Sequence, residues 1–189
     1  MVDLKNIKCF QQHGFVHRGD ASDNNVYGKC PLCGKDDHFF IQVEKKLWDC
    51  KRCGHKGGFQ TFLDDMAKVP SENEVMLKLA RGRGISLETL RYFNVGYSEI
   101  TGSYLIPIYD AESKHVWDLR MYSGKKIIST AGCKVGLFNW PDLAKGYETV
   151  YLCEGEWDAM ALWEARQKGK ASDAAILAVP GAGTFRADW

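Results

Sequence analysis

Cys30-Pro31-Leu32-Cys33 and Cys50-Lys51-Arg52-Cys53 are two Cys-x-x-Cys knuckles separated by sixteen residues. Four thiolates at that spacing can surround one zinc ion tetrahedrally, because each tight turn presents two sulfurs to the same point. Gly34 and Gly54 follow the second cysteine of each knuckle, where the backbone must bend back around the metal. Two disulfides, or cysteines used as small core residues, are the alternatives; paired knuckles with following glycines fit the zinc template better. The expected zinc (Zn2+) ligands are therefore Cys30, Cys33, Cys50 and Cys53.

Between the knuckles, residues 38–43 (His-Phe-Phe-Ile-Gln-Val) and 47–50 (Leu-Trp-Asp-Cys) read as two strands joined by the turn Glu44-Lys45-Lys46. That hairpin brings the second knuckle beside the first. Gly57-Gly58 breaks the chain before a short helix over 59–66, with Phe59, Phe62, Leu63 and Met66 on one face. Pro70 marks a boundary. Residues 71–74 (Ser-Glu-Asn-Glu) have the form of a capping box, opening a helix that runs to about Arg81. Arg81-Gly82-Arg83-Gly84 reads as a flexible basic joint, and Ser86 as the cap of a second short helix through Phe93. Residues 104–109 and 115–121 read as strands, and Pro107 puts the first at a sheet edge or bulge.

The final stretch reads as a βαβ unit: a buried-type strand over 149–153, a helix from Trp157 to about Gln167, and a second strand over 175–179. A helical crossover makes the two strands parallel. Glu154-Gly155-Glu156-Trp157-Asp158 follows the first strand, where functional groups of parallel sheets collect. Gly155 lets the backbone turn so that Glu154 projects from the strand tip, with Asp158 in the first helical turn beside it. The alternative is that these acids only favour the positive helix N-terminus, with Asp158 as its cap. The loop Pro180-Gly181-Ala182-Gly183-Thr184 follows the second strand at the same edge; short glycine loops are weak evidence for phosphate.

Composition bounds the rest. The chain has 189 residues, 45% hydrophobic and 26% charged, a soluble globular profile without any run able to cross a bilayer. The first residues lack the apolar core of a secretory signal, and seven cysteines, four in metal-type spacing, suit a reducing compartment. A cytoplasmic chain is expected, with Cys9, Cys133 and Cys153 as plain thiols. Residues 81–146 carry nine Lys/Arg against six Asp/Glu, whereas 147–189 carry four against seven. A basic middle beside an acidic end suits a nucleic-acid groove leading to a carboxylate site, and equally an ordinary solvated surface.

In order along the chain, these pieces resemble a bacterial or phage DNA primase of the DnaG-like class. The knuckles and the helix after them resemble that family's zinc-binding domain. Arg83-Gly84-Ile85-Ser86 and Leu105-Ile106-Pro107-Ile108 resemble the start of its RNA-polymerase domain. Arg120, Lys126 and Lys134, with Gly136-Leu137-Phe138-Asn139, resemble its basic template-binding face. Residues 152–158 resemble the first Toprim motif, and Gly181-Ala182-Gly183 the loop after its second strand.

The resemblance implies a mixed α+β and α/β chain: a zinc ribbon over 1–66, a helical linker over 67–84, an N-terminal polymerase subdomain over 85–146, and an incomplete Toprim fold over 147–189. It implies a nucleotidyltransferase of DNA replication that makes short RNA primers from ribonucleoside triphosphates on single-stranded DNA, beside a fused or separate replicative helicase in a bacterial or phage-infected cell. Glu154 and Asp158 become the catalytic magnesium (Mg2+) residues. Arg120, Lys126, Lys134, Trp48, Arg52 and His38 become nucleic-acid or nucleotide contacts, with Phe39 a further stacking ring and Lys45 and Lys46 further polar contacts. Toprim enzymes complete the metal site with an Asp-x-Asp pair on a later strand. No such pair follows Glu154 before Trp189, so a truncated piece, inactive alone, is expected, with a degenerate form as the alternative. A zinc-ribbon single-strand-binding or recruitment protein without catalysis is the second reading, and another Toprim enzyme, a nuclease or topoisomerase, the third.

Overall fold

Alternation between the knuckles sets the first sheet. In the computed structural model, which describes residues 4–22, 24–69, 71–112, 114–181 and 183–186 (backbone alone for 19–22), Phe39 and Ile41 point inward and Phe40 outward. Pro70, read above as a boundary, and Ala182 of the glycine loop lie outside the described residues. A 3-10 turn (Leu4–Ile7) and helix α1 (Lys8–Gln12) precede β1 (His17–Ser22), β2 (Asn25–Gly28), β3 (Phe39–Gln42), β4 (Leu47–Cys50) and β5 (Lys56–Gly57). These five strands pair in sequence order as one antiparallel sheet. The sequence predicts only its central hairpin, because 17–22 has no apolar alternation and β2 is four residues long. The hairpin register pairs Ile41 with Trp48 and Phe39 with Cys50. Helix α2 (Phe59–Met66) buries Phe62, Leu63 and Met66 against that face, as its spacing predicts.

Helix α3 (Asn73–Arg83) corrects two expectations. Its N-terminus has no capping box: the Ser71 hydroxyl instead accepts the Tyr97 N–H at 2.6 Å, leaving Glu72 at the cap without a side-chain bond. The basic joint is helical through Gly82 and stops at Gly84, whose φ of +66° only glycine holds readily. Arg83 is stacked, its guanidinium 4.6 Å from the Tyr122 ring centre and 4.8 Å from that of Trp157. Helix α4 (Leu87–Tyr92) has the expected cap, with Thr89 N–H donating to Ser86 Oγ at 3.1 Å.

A second antiparallel sheet follows, β6 (Gly96–Ser98), β7 (Ser103–Tyr109), β8 (Val116–Tyr122) and β9 (Ile127–Ile128). Strand β6 pairs only as far as Leu105, so Pro107 sits where that side of β7 has no ladder, next to a register shift at Ile108 and Tyr109. This sheet is buried on both faces. Leu105, Leu119 and Met121 join the core of the four-cysteine module with Phe10, Phe39, Trp48 and Phe62. Ile106, Ile108 and Tyr122 join a second core with Leu90, Phe93, Phe138, Met160, Trp163 and Ile176. Hydrogen bonds reinforce the first junction: Asp64 of α2 accepts the Val116 N–H at 2.8 Å, and the buried His13 ring meets Thr130 Oγ1 at 2.8 Å. The ribbon and the sheet therefore share one core across the expected boundary at 66.

The parallel unit closes the chain. Strand β10 (Val150–Cys153), helix α5 (Glu156–Gln167) and β11 (Ala175–Ala178) form it, with Val150 beside Ala175 and Cys153 beside Ala178. Strand β11 is wholly buried, flanked on its far side by a bridge from Phe138 to Ala178. Among the described residues no helix is long and apolar enough to cross a membrane.

Candidate metal centre and carboxylate site

The two knuckles are built alike. In each, the first cysteine's carbonyl accepts the N–H of the following glycine (Gly34 to Cys30, Gly54 to Cys50), both at 2.9 Å. In each, its N–H reaches a carbonyl five residues on, Lys35 and His55, again at 2.9 Å. Gly34 and Gly54 hold φ of +69° and +78°, the left-handed turn that wraps a chain around a metal. The four Sγ atoms lie within 4.8 Å of one another, and Cys33 Sγ is 3.9 Å from Cys50 Sγ. A tetrahedron with zinc–sulfur bonds of about 2.3 Å needs edges of roughly 3.8 Å. The donor set therefore fits one zinc ion, and none of the described cysteines is in a disulfide. Burial, then the neighbouring Cys50 and Cys33 thiols, push Cys53 up to about 11. Cys50 shifts the other way: burial raises it, but hydrogen bonds from the Cys53 and Arg52 backbone and from the neighbouring thiols lower it more, and a bound cation favours the thiolate form of all four.

At the other end of the molecule, Glu154 follows the tip of β10 and is exposed, with Asp158, also exposed, in the first turn of α5. Gly155 is the N-cap, and no side chain caps the helix, so Asp158 is not its cap. A Cβ at Gly155 would lie 3.7 Å from Asp158 Oδ2, which brings that carboxylate over the turn joining it to Glu154. Among the described residues the cysteines are the one group of three or more metal-ligand side chains; Glu154 and Asp158 belong to no such group.

Arg120 is not on a basic surface. It is 5% exposed, ion-paired with Glu156, itself 2% exposed, and its Nη2 donates to the Pro180 carbonyl at 3.0 Å. One guanidinium thus joins β8, the start of α5 and the loop after β11. Trp48 likewise is core, 3% exposed, stacked 5.3 Å from the Phe39 ring and donating its Nε1–H to the Gly58 carbonyl at 2.8 Å. Neither Trp48 nor Phe39 offers a face to a base. His38, Arg52, Lys45, Lys126 and Lys134 are exposed. The sequence reading gives Glu156 no role beyond favouring the helix N-terminus, its only signal being a third acid two residues after Glu154, and gives Asp142 none. Asp142 is fully buried and holds Arg166 Nη1 at 3.1 Å, the Ile176 N–H at 2.9 Å and Lys145 at 2.7 Å.

No family model and no curated protein matches the chain. Among solved structures it is similar to the zinc-binding and RNA polymerase domains of Aquifex aeolicus primase, at 16% identity and a TM-score of 0.40, over 95% of this chain and 65% of that one. It is similar to the primase fragment of the bacteriophage T7 primase-helicase protein, at 16% identity and a TM-score of 0.42, over 82% of this chain and 67% of that one. A third similarity, at 18% identity and a TM-score of 0.44, is to a bacteriophage T7 structure of lagging-strand DNA polymerase interacting with primase domains bound to an RNA/DNA hybrid and dTTP. It covers 83% of this chain and 68% of that one. The chain thus spans less than two thirds of the Aquifex chain and about two thirds of the phage chains.

Proposed function

We propose that this chain is the zinc-binding and polymerase part of a DNA primase, which makes short RNA primers from ribonucleoside triphosphates on a single-stranded DNA template. The observation that carries the reading is Glu154, exposed at the carboxyl end of a parallel strand, with Asp158 exposed in the first turn of the helix that follows. The same chain carries a four-cysteine ribbon fused to the sheet whose Arg120 anchors the helix after this strand.

Glu154 and Asp158 are hard oxygen donors, and magnesium commonly takes one or two carboxylates and completes its shell with substrate phosphates. Bound there, it would neutralise charge on the triphosphate. Glu154 serves as metal ligand or as the base that accepts the proton of the primer's 3′-hydroxyl, and Asp158 supports it. Lys126 and Lys134 hold phosphates, while Arg120 acts as a positioning residue that fixes the start of α5. Zinc on Cys30, Cys33, Cys50 and Cys53 has a structural role, and His38 and Arg52 on the ribbon contact the template. A replicative helicase, fused or separate, is the expected partner.

The test is primer synthesis by the complete protein on single-stranded DNA with magnesium. Glu154→Gln is expected to abolish synthesis while template binding survives, because it removes charge at the reacting phosphate alone. An active Glu154→Gln protein overturns the assignment. Template binding without any synthesis by the unaltered complete protein would identify a single-strand-binding module.

A further inference from the structure

With Trp48 and Phe39 inside the core, base stacking needs another ring. Trp117 on β8 is 38% exposed. It walls a groove of about 240 Å3 at the seam between α2 and the segment after β9, opposite Phe59, Gln60 and Leu63, with Gly132, Cys133 and Lys134 along the rest. Two ammonium groups lie over its rings: Lys134 Nζ is 5.6 Å from the Trp117 ring centre, and Lys46 Nζ is 5.3 Å from that of Phe59. Lys46 comes from the ribbon's hairpin turn and Lys134 from the far side of the seam, so the groove exists only because the two modules share a core. Among the described residues neither lysine makes an ion pair.

The ring is held in place. A Cβ at Gly136 would stand 3.2 Å from Trp117 Cδ1, so bare backbone is pressed against the indole edge. Trp140 extends the aromatic surface, its ring centre 6.5 Å away. Gly132, at φ of +86°, turns the backbone beside Lys46, whose Nζ lies 3.6 Å from where a Cβ would be, an ordinary contact distance. The Cys133 thiol, pushed up to about 12 chiefly by burial, stays neutral and adds no negative charge. A fixed π-face flanked by two cations suits a ligand with flat faces and regularly spaced anions. Duplex DNA hides its base faces, and an acidic peptide leaves the ring unused. We infer that this groove binds single-stranded DNA, one unpaired base stacking on Trp117 and the flanking phosphates resting on Lys46 and Lys134. This deepens the template-directed reading above and rests on it for the choice of DNA.

The test is anisotropy of labelled oligothymidylate titrated with the 189-residue chain, between about 50 and 200 mM salt. Trp117→Ala is expected to weaken binding about 5- to 150-fold, the range for one base–aromatic stack, and Trp117→Phe to restore most of it. Lys46→Gln and Lys134→Gln are each expected to lower the salt slope by about 0.7, one single-strand phosphate contact. Oligothymidylate carrying 5-iododeoxyuridine should photocrosslink to Trp117. Binding that none of the three sites affects, or an unaltered chain that binds no oligothymidylate at about 50 mM salt, overturns the groove and leaves primer synthesis to be judged by Glu154→Gln. Tighter binding of the ribo-oligomer than of the deoxy-oligomer also overturns it as a DNA site. Groove-dependent binding by a complete protein that makes no primer upholds the groove and defeats only the polymerase reading.

Discussion

At the N-terminal end, five short strands converge on four thiols within 4.8 Å of one another. At the C-terminal end, two parallel strands have no such point to converge on, and β10 leaves Val150, Tyr151 and Leu152 between 37% and 48% exposed. The ribbon's strands of four and two residues are short, and the thiols they bring together are placed so that one zinc ion would pin their register. The parallel unit is fastened by buried charge instead: Arg120 with Glu156 from one side, and Asp142 with Arg166 and the Ile176 N–H from the other. Between them lies the β7–β8 sheet, one face in each core. The two regions are thus open to different perturbations, one to removal of a metal from its thiols and the other to loss of a charge partner.

Removing zinc tests the first half of that contrast and carries the largest expected effect. Metal analysis should find one zinc per chain. Stripping it should collapse exchange protection in β3, β4 and both knuckles, since structural zinc contributes about 10–16 kcal/mol of apparent binding energy in small modules. Because Leu119 and Met121 belong to the same core, protection on β8 should also fall, while α5 and β11 hold. A metal-free chain with a protected ribbon would place that region under packing control like the other.

Glu156→Gln tests the second half. It removes the ion-pair partner of a buried guanidinium, leaving Arg120 with the Pro180 carbonyl and the charge of buried Asp118, which costs up to about 3–5 kcal/mol. The urea midpoint should drop accordingly, and α5 amides should be the first to exchange. A change below about 1 kcal/mol would mean that apolar packing alone holds the parallel unit.

The seam between ribbon and sheet should respond to acid through His13. Burial lowers its pKa to about 4, so the folded state binds the proton less readily than the unfolded chain, whose histidine titrates near 6.5. Stability is therefore complete above about pH 6.5 and declines as pH falls toward 4, by roughly 3 kcal/mol in all. His13→Gln should flatten this part of the pH–stability curve. A slope unchanged by that substitution would move the acid sensitivity to another group.

The smallest effect is expected on the open strand. Leu152→Thr should change stability by no more than about 0.5 kcal/mol, because the side chain is half exposed on β10. Ile41→Ala, at a fully packed position of the ribbon, should cost about 2–5 kcal/mol. Equal costs in the two urea titrations would show that β10 is covered in solution.

Local signals were legible wherever one residue type has one physical use. The knuckle glycines need positive φ, Ser86 caps α4 through its own hydroxyl, and Phe62, Leu63 and Met66 repeat at helical spacing; each is found as read. Signals failed where a residue had two possible partners. Ser71 has the right spacing to cap α3, yet it accepts from Tyr97, twenty-six residues on. Trp48 looks the same in sequence whether its ring stacks on a base or on Phe39. Arg120 looks like any surface arginine until β8 brings it against α5.

Short-range geometry, set by backbone sterics and the reach of neighbouring side chains, is what the amino-acid order dictated: the four-cysteine centre, the hairpin between its knuckles, the parallel crossover and the position of Glu154 after its strand. Tertiary packing chose the rest. It put both modules on opposite faces of one sheet, buried Arg120 against Glu156, and brought Lys46 and Lys134 to either side of one groove. The reason is that burial and charge pairing depend on which surfaces meet, and residues distant in the chain meet only after the cores have formed.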